Sequence, residues 1–571
     1  MKEEILKFFK GEVENDDETL SKYSHDASIF TVRPQVVCFP KDSEDVQNLV
    51  KWVDENTEKY KGLSITARCA GTDMSGGSIN ESIILDFTRH MNQLIAWGES
   101  AITVQPGMFY RDFEKITLEK NLILPCYTAS KNINAMGGMY GNNSAGERTL
   151  SYGKTEDYVM EAKVVFADGV ERIVKPVPLE DISKQEYIYR KVYDLIKENE
   201  EEIKNAKPNV HKNSAGYYLW NVIKSRPVEN SSGLTLPGLS GGTHTVQNSP
   251  QGDFFDLNRL LVGSQGTLGI ATEITFKLVK PKPYTNLVVV FLRDMSILPD
   301  LVNKILKFNP QTIETYDDKT FLLVLKYIYS FIKLLGFKNF FKLIFSFGPE
   351  TMMTLRHGFP RLIMLVEFTG DTENETNKKT QDALVELKKI KKIGVHLAKN
   401  EFEAKKYWTI RREAFNLIRY HLKKQKSEPF VDDVIVRPEK LPEFFPAVYK
   451  ILNEYKDKMT FAVGGHAGDG NMHIYTLLDP KEPALKDIVM DVSEKVYDLV
   501  ARLGGSITAE HNDGIIRTPF LEKMYSPKIL ELFKEVKEIF DPKYIFNPGK
   551  KVPMPGAQIG GKEYIAAHIT K

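Results

Sequence analysis

The chain has 571 residues, 42% hydrophobic and 27% charged, with a formal net charge of +1 and a pI near 7.6. That length exceeds a single hydrophobic core and calls for two or three domains, and the even charge balance excludes the basic face of a nucleic-acid binder. Cys38, Cys69 and Cys126 form no CxxC pair, which argues against a disulfide scaffold or an iron–sulfur cluster and suits a reducing compartment.

Residues 1–30 read as a short helical lead-in that runs into the acidic stretch 12–18. It lacks the basic start and apolar core of a signal peptide, so a cytoplasmic protein is expected. A strand is predicted at 36–40. Ser43 then caps a helix in which Val46, Leu49, Val50 and Val53 recur at helical spacing. Strands at 65–67 and 83–86 flank a glycine-rich turn, and a strand at 102–105 precedes a helix around 113–118. A second lobe starts near Asn132. It contains an apolar strand at 163–166, closed by the hairpin signal Ala167-Asp168-Gly169, and ends in the alternating strand 271–278 before Pro281 and Pro283.

The region 281–505 mixes strands (286–291, 361–368) with helices (378–390) and carries an insertion at about 315–355. From 506 a helical segment centred on 520–540 leads to Asn547-Pro548-Gly549-Lys550. The expected fold class is α+β: a lead-in (1–30), a two-lobed domain (31–280), a substrate or cap domain (281–505), and a C-terminal segment (506–571) returning to the two-lobed domain.

Three loops carry the chemistry of the two-lobed domain. Arg68-Cys69-Ala70-Gly71-Thr72-Asp73-Met74-Ser75-Gly76-Gly77-Ser78 lies between two strands. Its glycines let backbone approach a ligand, and successive N–H groups can surround a pyrophosphate. Alone, it reads equally as a tight inter-strand turn. With Met136-Gly137-Gly138-Met139-Tyr140-Gly141-Asn142-Asn143-Ser144-Ala145-Gly146 and Val262-Gly263-Ser264-Gln265-Gly266-Thr267-Leu268-Gly269-Ile270 the set no longer looks like chance turns. Neither GxGxxG after an N-terminal strand nor GxxxxGK[ST] is present.

Taken in order, these loops, the Gln105-Pro106-Gly107 turn and Tyr152-Gly153 resemble the FAD domain of the vanillyl-alcohol oxidase/p-cresol methylhydroxylase (PCMH-type) superfamily, over about 30–280. The resemblance implies FAD, with Arg68, Gly71, Thr72, Ser75, Gly76 and Gly77 at the pyrophosphate. It adds Pro106, Gly107, Ser130, Gly137, Gly138, Asn142, Asn143, Ser144, Gly146, Gly266, Gly269, Ile270 and Asn547 as cofactor contacts. Non-covalent attachment is expected: the first loop has no His, Cys69 stands at a usual Gly, and Cys126 is a lone thiol of the kind that packs cores. Gln265 stands at a common Glu.

In the cap region, Gly464-Gly465-His466-Ala467-Gly468-Asp469-Gly470-Asn471-Met472-His473 is followed by Ala509-Glu510-His511-Asn512-Asp513-Gly514. Two His and one carboxylate with a position left open form the ligand set of a catalytic divalent metal, leaving a third His as proton acceptor. The alternative is a pair of polar turn residues and an unrelated helix start. With Phe540-Asp541-Pro542 and Asn547-Pro548-Gly549-Lys550, these motifs resemble the D-lactate/D-2-hydroxyglutarate dehydrogenase and glycolate oxidase branch of the same superfamily.

The branch resemblance implies that His466, His473 and Glu510 hold a divalent metal, zinc being expected, and that His511 is the catalytic base. It also implies that Arg411, in Trp408-Thr409-Ile410-Arg411, is the fork for the substrate carboxylate; the other reading of Arg411 is a solvated helix face. Lys212-Asn213-Ser214-Ala215-Gly216-Tyr217 is placed at the substrate mouth. Asn512 stands at a usual Gly. Asp432-Asp433 precede Val434 where relatives for dicarboxylates place a Lys, so a second substrate carboxylate is not expected.

The expected reaction is oxidation of a D-2-hydroxy acid to the 2-oxo acid, with electrons passing to a separate acceptor: a quinone, an electron-transfer flavoprotein or a cytochrome. A transferase like alkylglycerone-phosphate synthase, which would not need the metal loop, and a non-catalytic flavoprotein subunit are the alternatives. Finally, 319–348 holds 19 apolar residues, five lysines and no acid. Lys319, Lys326 and Lys333 share a helical face with Ser330. This predicts either a peripheral anchor on the inner face of the membrane or a hairpin packed on the cap. No window is apolar enough to span a bilayer.

Overall fold

In the computed structural model, which describes residues 1–226, 234–237, 243–246, 252–326, 348, 353–355, 358–421, 426–556 and 559–569, the first lobe is a four-stranded sheet. Its order is Glu12–Glu14, Val36–Phe39, Ile83–Asp86, Ile65–Arg68. Every residue of Val36–Phe39 and Ile83–Asp86 is buried, as befits parallel strands covered on both faces. Helix Ser43–Asn56 lays Val46, Leu49, Val50 and Val53 into that core. Its cap is Asp42 rather than Ser43, because the Asp42 carboxylate accepts the Asp45 N–H at 3.0 Å.

Two boundaries differ from the sequence reading. The lead-in is not purely helical: Glu12-Val13-Glu14 alternates with a period of two and adds an antiparallel edge strand that buries only Val13. The second lobe does not begin near Asn132. Its five-stranded antiparallel sheet runs Leu94–Trp97, Ala101–Val104, Ile270–Lys277, Val159–Val165, Glu171–Val174, so the hairpin at 94–104 already belongs to it.

The cap is an antiparallel sheet ordered Ile393–Leu397, Tyr284–Leu292, Leu362–Gly370, Thr312–Asp317, Met459–His466, Asn471–Leu478, Lys426–Ser427, with Val434–Ile435 also paired to Asn471–Leu478. Alternate residues of Tyr284–Leu292 serve its two faces. Val288, Val290 and Leu292 join the core beneath helices Leu298–Leu306 and Glu373–Lys388. Leu287, Val289 and Phe291 pack with Tyr407, Trp408 and Ile410 of helix Glu401–His421.

After helix Pro527–Phe540 the chain threads back into the first lobe, where the Asn547 N–H donates to Ile65 O at 2.9 Å and the Ile65 N–H to Ile545 O at 2.7 Å.

The insertion opens with helix Asp318–Lys326. Phe321 is buried with Tyr316 and Trp408, and Lys319 sits over the Phe461 ring, 3.3 Å from its centroid, not on an open basic face. Residues 327–347, most of the expected anchor, lie outside the described residues. Among the described residues no helix is long and apolar enough to cross a membrane.

Candidate active site

A cleft of about 340 Å³ runs between the two-lobed domain and the cap. Of the expected cofactor contacts, Arg68, Gly71, Thr72, Gly77, Pro106, Ser130, Gly137, Gly138, Asn142, Ser144, Gly146, Gly266, Gly269 and Ile270 line it. Ser75, Gly76, Gly107, Asn143 and Asn547 do not; they stand behind the wall. A Cβ on Gly107 would meet Phe87 O at 2.1 Å, so this glycine lets two backbones touch. Asn547 is a strut: its amide donates to Gly77 O and Gln265 O, and its oxygen accepts from Thr66 Oγ1.

Arg68 borders the cleft, but its guanidinium donates to the carbonyls of His25 and Ser78 and so ties the lead-in to the loop. Within that loop the Ser75 and Gly77 amides are turned to the Asp73 carboxylate, so those two N–H groups are satisfied by the loop itself. By contrast, a Cβ on Gly138 would meet nothing within 4 Å, and one on Gly266 only the Ala67 methyl at 3.7 Å. These bare positions leave the wall open to a flat ligand at van der Waals distance.

The opposite wall is built on one hairpin. Met459–His466 and Asn471–Leu478 pair so that Gly464 faces His473 and Asn471 faces His466. Both imidazoles therefore project from the same side, and Gly464 leaves room for the rings to meet with centroids 5.1 Å apart. His466 Nδ1 donates to Glu314 Oε1 at 2.5 Å, and His473 Nδ1 to Asp432 O at 3.2 Å. With both Nδ1 atoms so engaged, the two Nε2 atoms are turned on each other at 3.2 Å, and Glu510 Oε1 lies 3.2 and 3.3 Å from them.

The loop carrying Glu510 and His511 is pinned by Asp433. One Asp433 oxygen accepts from the Thr508 hydroxyl and from the N–H groups of Ala509 and Glu510, all at 2.8 Å, and from that of His511 at 2.9 Å. His511 Nδ1 donates to Asp432 Oδ2 at 2.5 Å, and the His511 ring stacks 5.2 Å from that of His473. Arg517, fully buried, donates to Asp432 Oδ1 at 2.6 Å.

Arg411 lines the cleft, so it is not on a solvated helix face. It donates to Glu314 Oε2 at 3.1 Å and to the Tyr475 hydroxyl at 3.3 Å. Lys212 is not at the mouth. It is wholly buried behind the cluster, 3.0 Å from Glu510 Oε2 and 3.4 Å from Asp469 Oδ2.

These contacts set the charge balance. Burial favours the neutral acids Glu314, Asp432, Asp433, Asp469 and Glu510, but their cationic neighbours overrule it and hold each below its ordinary value, Glu314 at about 2. Against these five carboxylates stand three buried permanent cations, Lys212, Arg411 and Arg517, leaving two negative charges over. Burial also opposes charging His466 and His511, yet Glu314 on the first, and Asp433 with Asp432 on the second, push each up to about 9. Burial keeps His473 low.

The structure thus gathers His466, His473, Glu510, His511 and Arg411 at one end of the cleft. The sequence reading missed Glu314 and Arg517 and misplaced Lys212. The two aspartates hold His511 and its loop, and Asp432 also lines the cleft.

Against known proteins, residues 34–174 match the FAD binding domain family and residues 281–551 the C-terminal domain of FAD linked oxidases. A D-2-hydroxyglutarate dehydrogenase of Pseudomonas putida is 26% identical over 560 residues, covering 95% of this chain and 50% of that protein. The chain spans about half the length of the first curated relatives it matches. A D-lactate dehydrogenase of Anaerostipes hadrus is 25% identical over 549 residues, 94% of this chain and 93% of its own. Two solved structures share the fold. They are p-cresol methylhydroxylase (13% identical, TM-score 0.63, 95% of each chain) and alkyldihydroxyacetonephosphate synthase (15% identical, TM-score 0.62, 96% of this chain and 85% of that one). At these identities they speak for the fold alone.

Proposed function

The chain belongs to the FAD-linked oxidases, and on that premise we propose that it oxidises a D-2-hydroxy acid to the 2-oxo acid with the help of a divalent metal. The observation that carries the reading is the meeting of His466 Nε2, His473 Nε2 and Glu510 Oε1 at 3.2–3.3 Å, beside His511, in a cleft whose other wall is glycine-rich.

The residues fit both groups. Ligand atoms about 2.1 Å from an ion and tetrahedrally disposed stand roughly 3.4 Å apart, close to the spacing here. Each ligand imidazole is oriented by an acceptor on its Nδ1, as metal-bound histidines are. With His466 and His511 neutral, the five carboxylates exceed the three permanent cations by two charges, which a dication would offset. For FAD, the open positions at Gly138 and Gly266 suit a planar ring system. Attachment would be non-covalent, because burial pushes the Cys69 and Cys126 thiols up to about 12, far from the thiolate a covalent link needs.

When bound, FAD supplies the acceptor for the hydride leaving C2, and the ion supplies a Lewis acid that lowers the hydroxyl pKa. The chain's own residues do the rest. Arg411, held in orientation by Glu314 and Tyr475, receives the substrate carboxylate. His511 Nε2 takes the hydroxyl proton while Asp432 keeps Nδ1 protonated and the ring oriented. An ether-lipid transferase would share the fold but gives no reason for the His466–His473–Glu510 cluster.

Anaerobic mixing should bleach the flavin with D-2-hydroxy acids and leave it oxidised with their L isomers. Prolonged chelation should abolish the bleaching while the flavin spectrum persists. Active protein that contains no stoichiometric divalent ion would remove the metal from the reading.

A further inference from the structure

Among the residues lining the cleft, the charged side chains outside the His–Glu cluster and its partners are Arg68 and Asp73 in the first loop, and Glu147 and Arg412. Glu147 follows Gly146 in the two-lobed domain; Arg412 follows Arg411 on the cap helix. They meet across the cleft as a bidentate pair, Nε to Oε2 at 3.1 Å and Nη2 to Oε1 at 2.5 Å. The geometry is fixed from both sides. The Arg412 guanidinium lies 4.7 Å from the centre of the Trp408 ring, and the Tyr127 hydroxyl donates to Glu147 Oε1 at 3.4 Å. Nearby, Ser151 donates to Pro310 O and Gln311 O at 3.1 Å, so the two domains are tied here by more than one contact. Glu147 is largely buried and Arg412 about half exposed.

We infer that the Glu147–Arg412 pair sets the substrate class: it admits a 2-hydroxy acid with a short neutral tail and rejects one carrying a second carboxylate. This rests on the 2-hydroxy-acid reading above. With the substrate's C1 carboxylate at Arg411 and its hydroxyl at His511, a tail directed toward the Gly146–Glu147 wall enters the part of the cleft that Arg412 and Glu147 also line. A distal carboxylate there meets Arg412 only in competition with Glu147. Arg411 is taken up by the C1 carboxylate, and Arg412 is already held through Nε and Nη2 by Glu147. The distal carboxylate also meets the like charge of the largely buried Glu147. A methyl or ethyl tail meets neither penalty.

The test is a change of selectivity. In the FAD-loaded protein, Glu147→Gln should raise the kcat/KM of D-2-hydroxyglutarate relative to D-2-hydroxybutyrate about tenfold, by freeing Arg412 and removing one like charge. Adding Arg412→Ala to that variant should erase the gain, because the receiving cation is gone. Calorimetric binding of glutarate and butyrate to the same proteins gives a readout without turnover: Glu147→Gln should tighten glutarate about tenfold relative to butyrate. An unchanged ratio in both measurements overturns the inference, as does a wild-type preference for the dianion that Glu147→Gln abolishes. If no D-2-hydroxy acid reduces the flavin in any of these proteins, the parent reading fails. The glutarate and butyrate titrations still decide the role of the pair.

Discussion

On the wall supplied by the two-lobed domain, the residues facing the cleft are mostly glycine, alanine, serine, threonine and asparagine. On the wall supplied by the cap and C-terminal segment they include Glu314, Arg411, Arg412, Asp432, His466, His473, Tyr475, Glu510 and His511. The first wall works through backbone and through space left unfilled, so its positions act nearly independently and respond to added volume. The second works through charge in a buried setting, where each group holds its state because its neighbours hold theirs. Sensitivity should therefore differ in kind: steric on one side, electrostatic and cooperative on the other.

The largest effect is expected on the charged wall. His511→Ala removes the proton acceptor but leaves Glu510 and the Asp433 contacts of its loop in place. It should slow flavin reduction about 10³-fold, within the range for a positioned general base, with the flavin spectrum intact. A variant that still bleaches at full rate would give the base role to another group.

The glycine wall should answer to volume. At Gly138→Val the new Cβ meets nothing within 4 Å beyond its own helix, on a position that lines the cleft. The unliganded fold should keep its thermal stability, while FAD affinity falls about ten- to a hundredfold from overpacking against the ring system. Unimpaired FAD binding would mean that this part of the cleft does not receive the cofactor.

The coupling on the charged wall gives a signature in protons. With His466 and His511 pushed up to about 9, both carry a proton at neutral pH in metal-free protein. Their folded-state values lie above the ordinary imidazole value near 6.5. The stability they contribute is thus full below that value and lost as pH rises through about 9. A divalent ion replaces those charges, so its uptake at pH 7.5 should release protons, and its affinity should rise with pH toward 9. Ion titrations in buffers of different ionisation enthalpy measure the count; uptake without proton release would break the charge-balance argument.

Much of this was legible in the sequence, for definite reasons. The glycine loops and the His466–His473 hairpin are local features, and their spacing alone brings the groups together. The two aspartates and Glu314 were not legible as parts of the site. Asp433 holds a loop that begins 75 residues later, and no local pattern records such a contact. Glu314 sits in Thr312–Asp317, whose mixed polar composition reads as half-exposed although all six residues are buried; strands paired on both sides and helices packed against it cover it. Arg517 left a faint signal, a lone charge directly after Ile515 and Ile516 in a stretch that proves wholly buried. The lobe boundary was misread because adjacent strands do not announce which sheet they join.

The smallest effect is expected at Asn512, which stands where the sequence resemblance implies a Gly. The backbone there has φ +69°, the left-handed region that glycine enters freely and asparagine tolerates better than most residues. The turn is therefore of the glycine type despite the side chain. That side chain is not idle: its Nδ2 donates to Gly263 O at 3.0 Å, tying the His511 loop to the glycine wall, and its oxygen accepts the Asp513 N–H at 3.0 Å. Asn512→Gly would relieve the left-handed strain. It would also lose two buried hydrogen bonds worth about 1 kcal/mol each and add up to about 1 kcal/mol of unfolded-chain entropy. The net expectation is a destabilisation of about 2 kcal/mol in thermal unfolding. Flavin reduction should stay within about threefold of wild type, because Asp432 and Asp433, not Asn512, hold His511. Stopped-flow reduction slowed a hundredfold in a variant that unfolds as expected would show that the Asn512 tie to Gly263 aligns the two walls, and that they are not as separable as their compositions suggest.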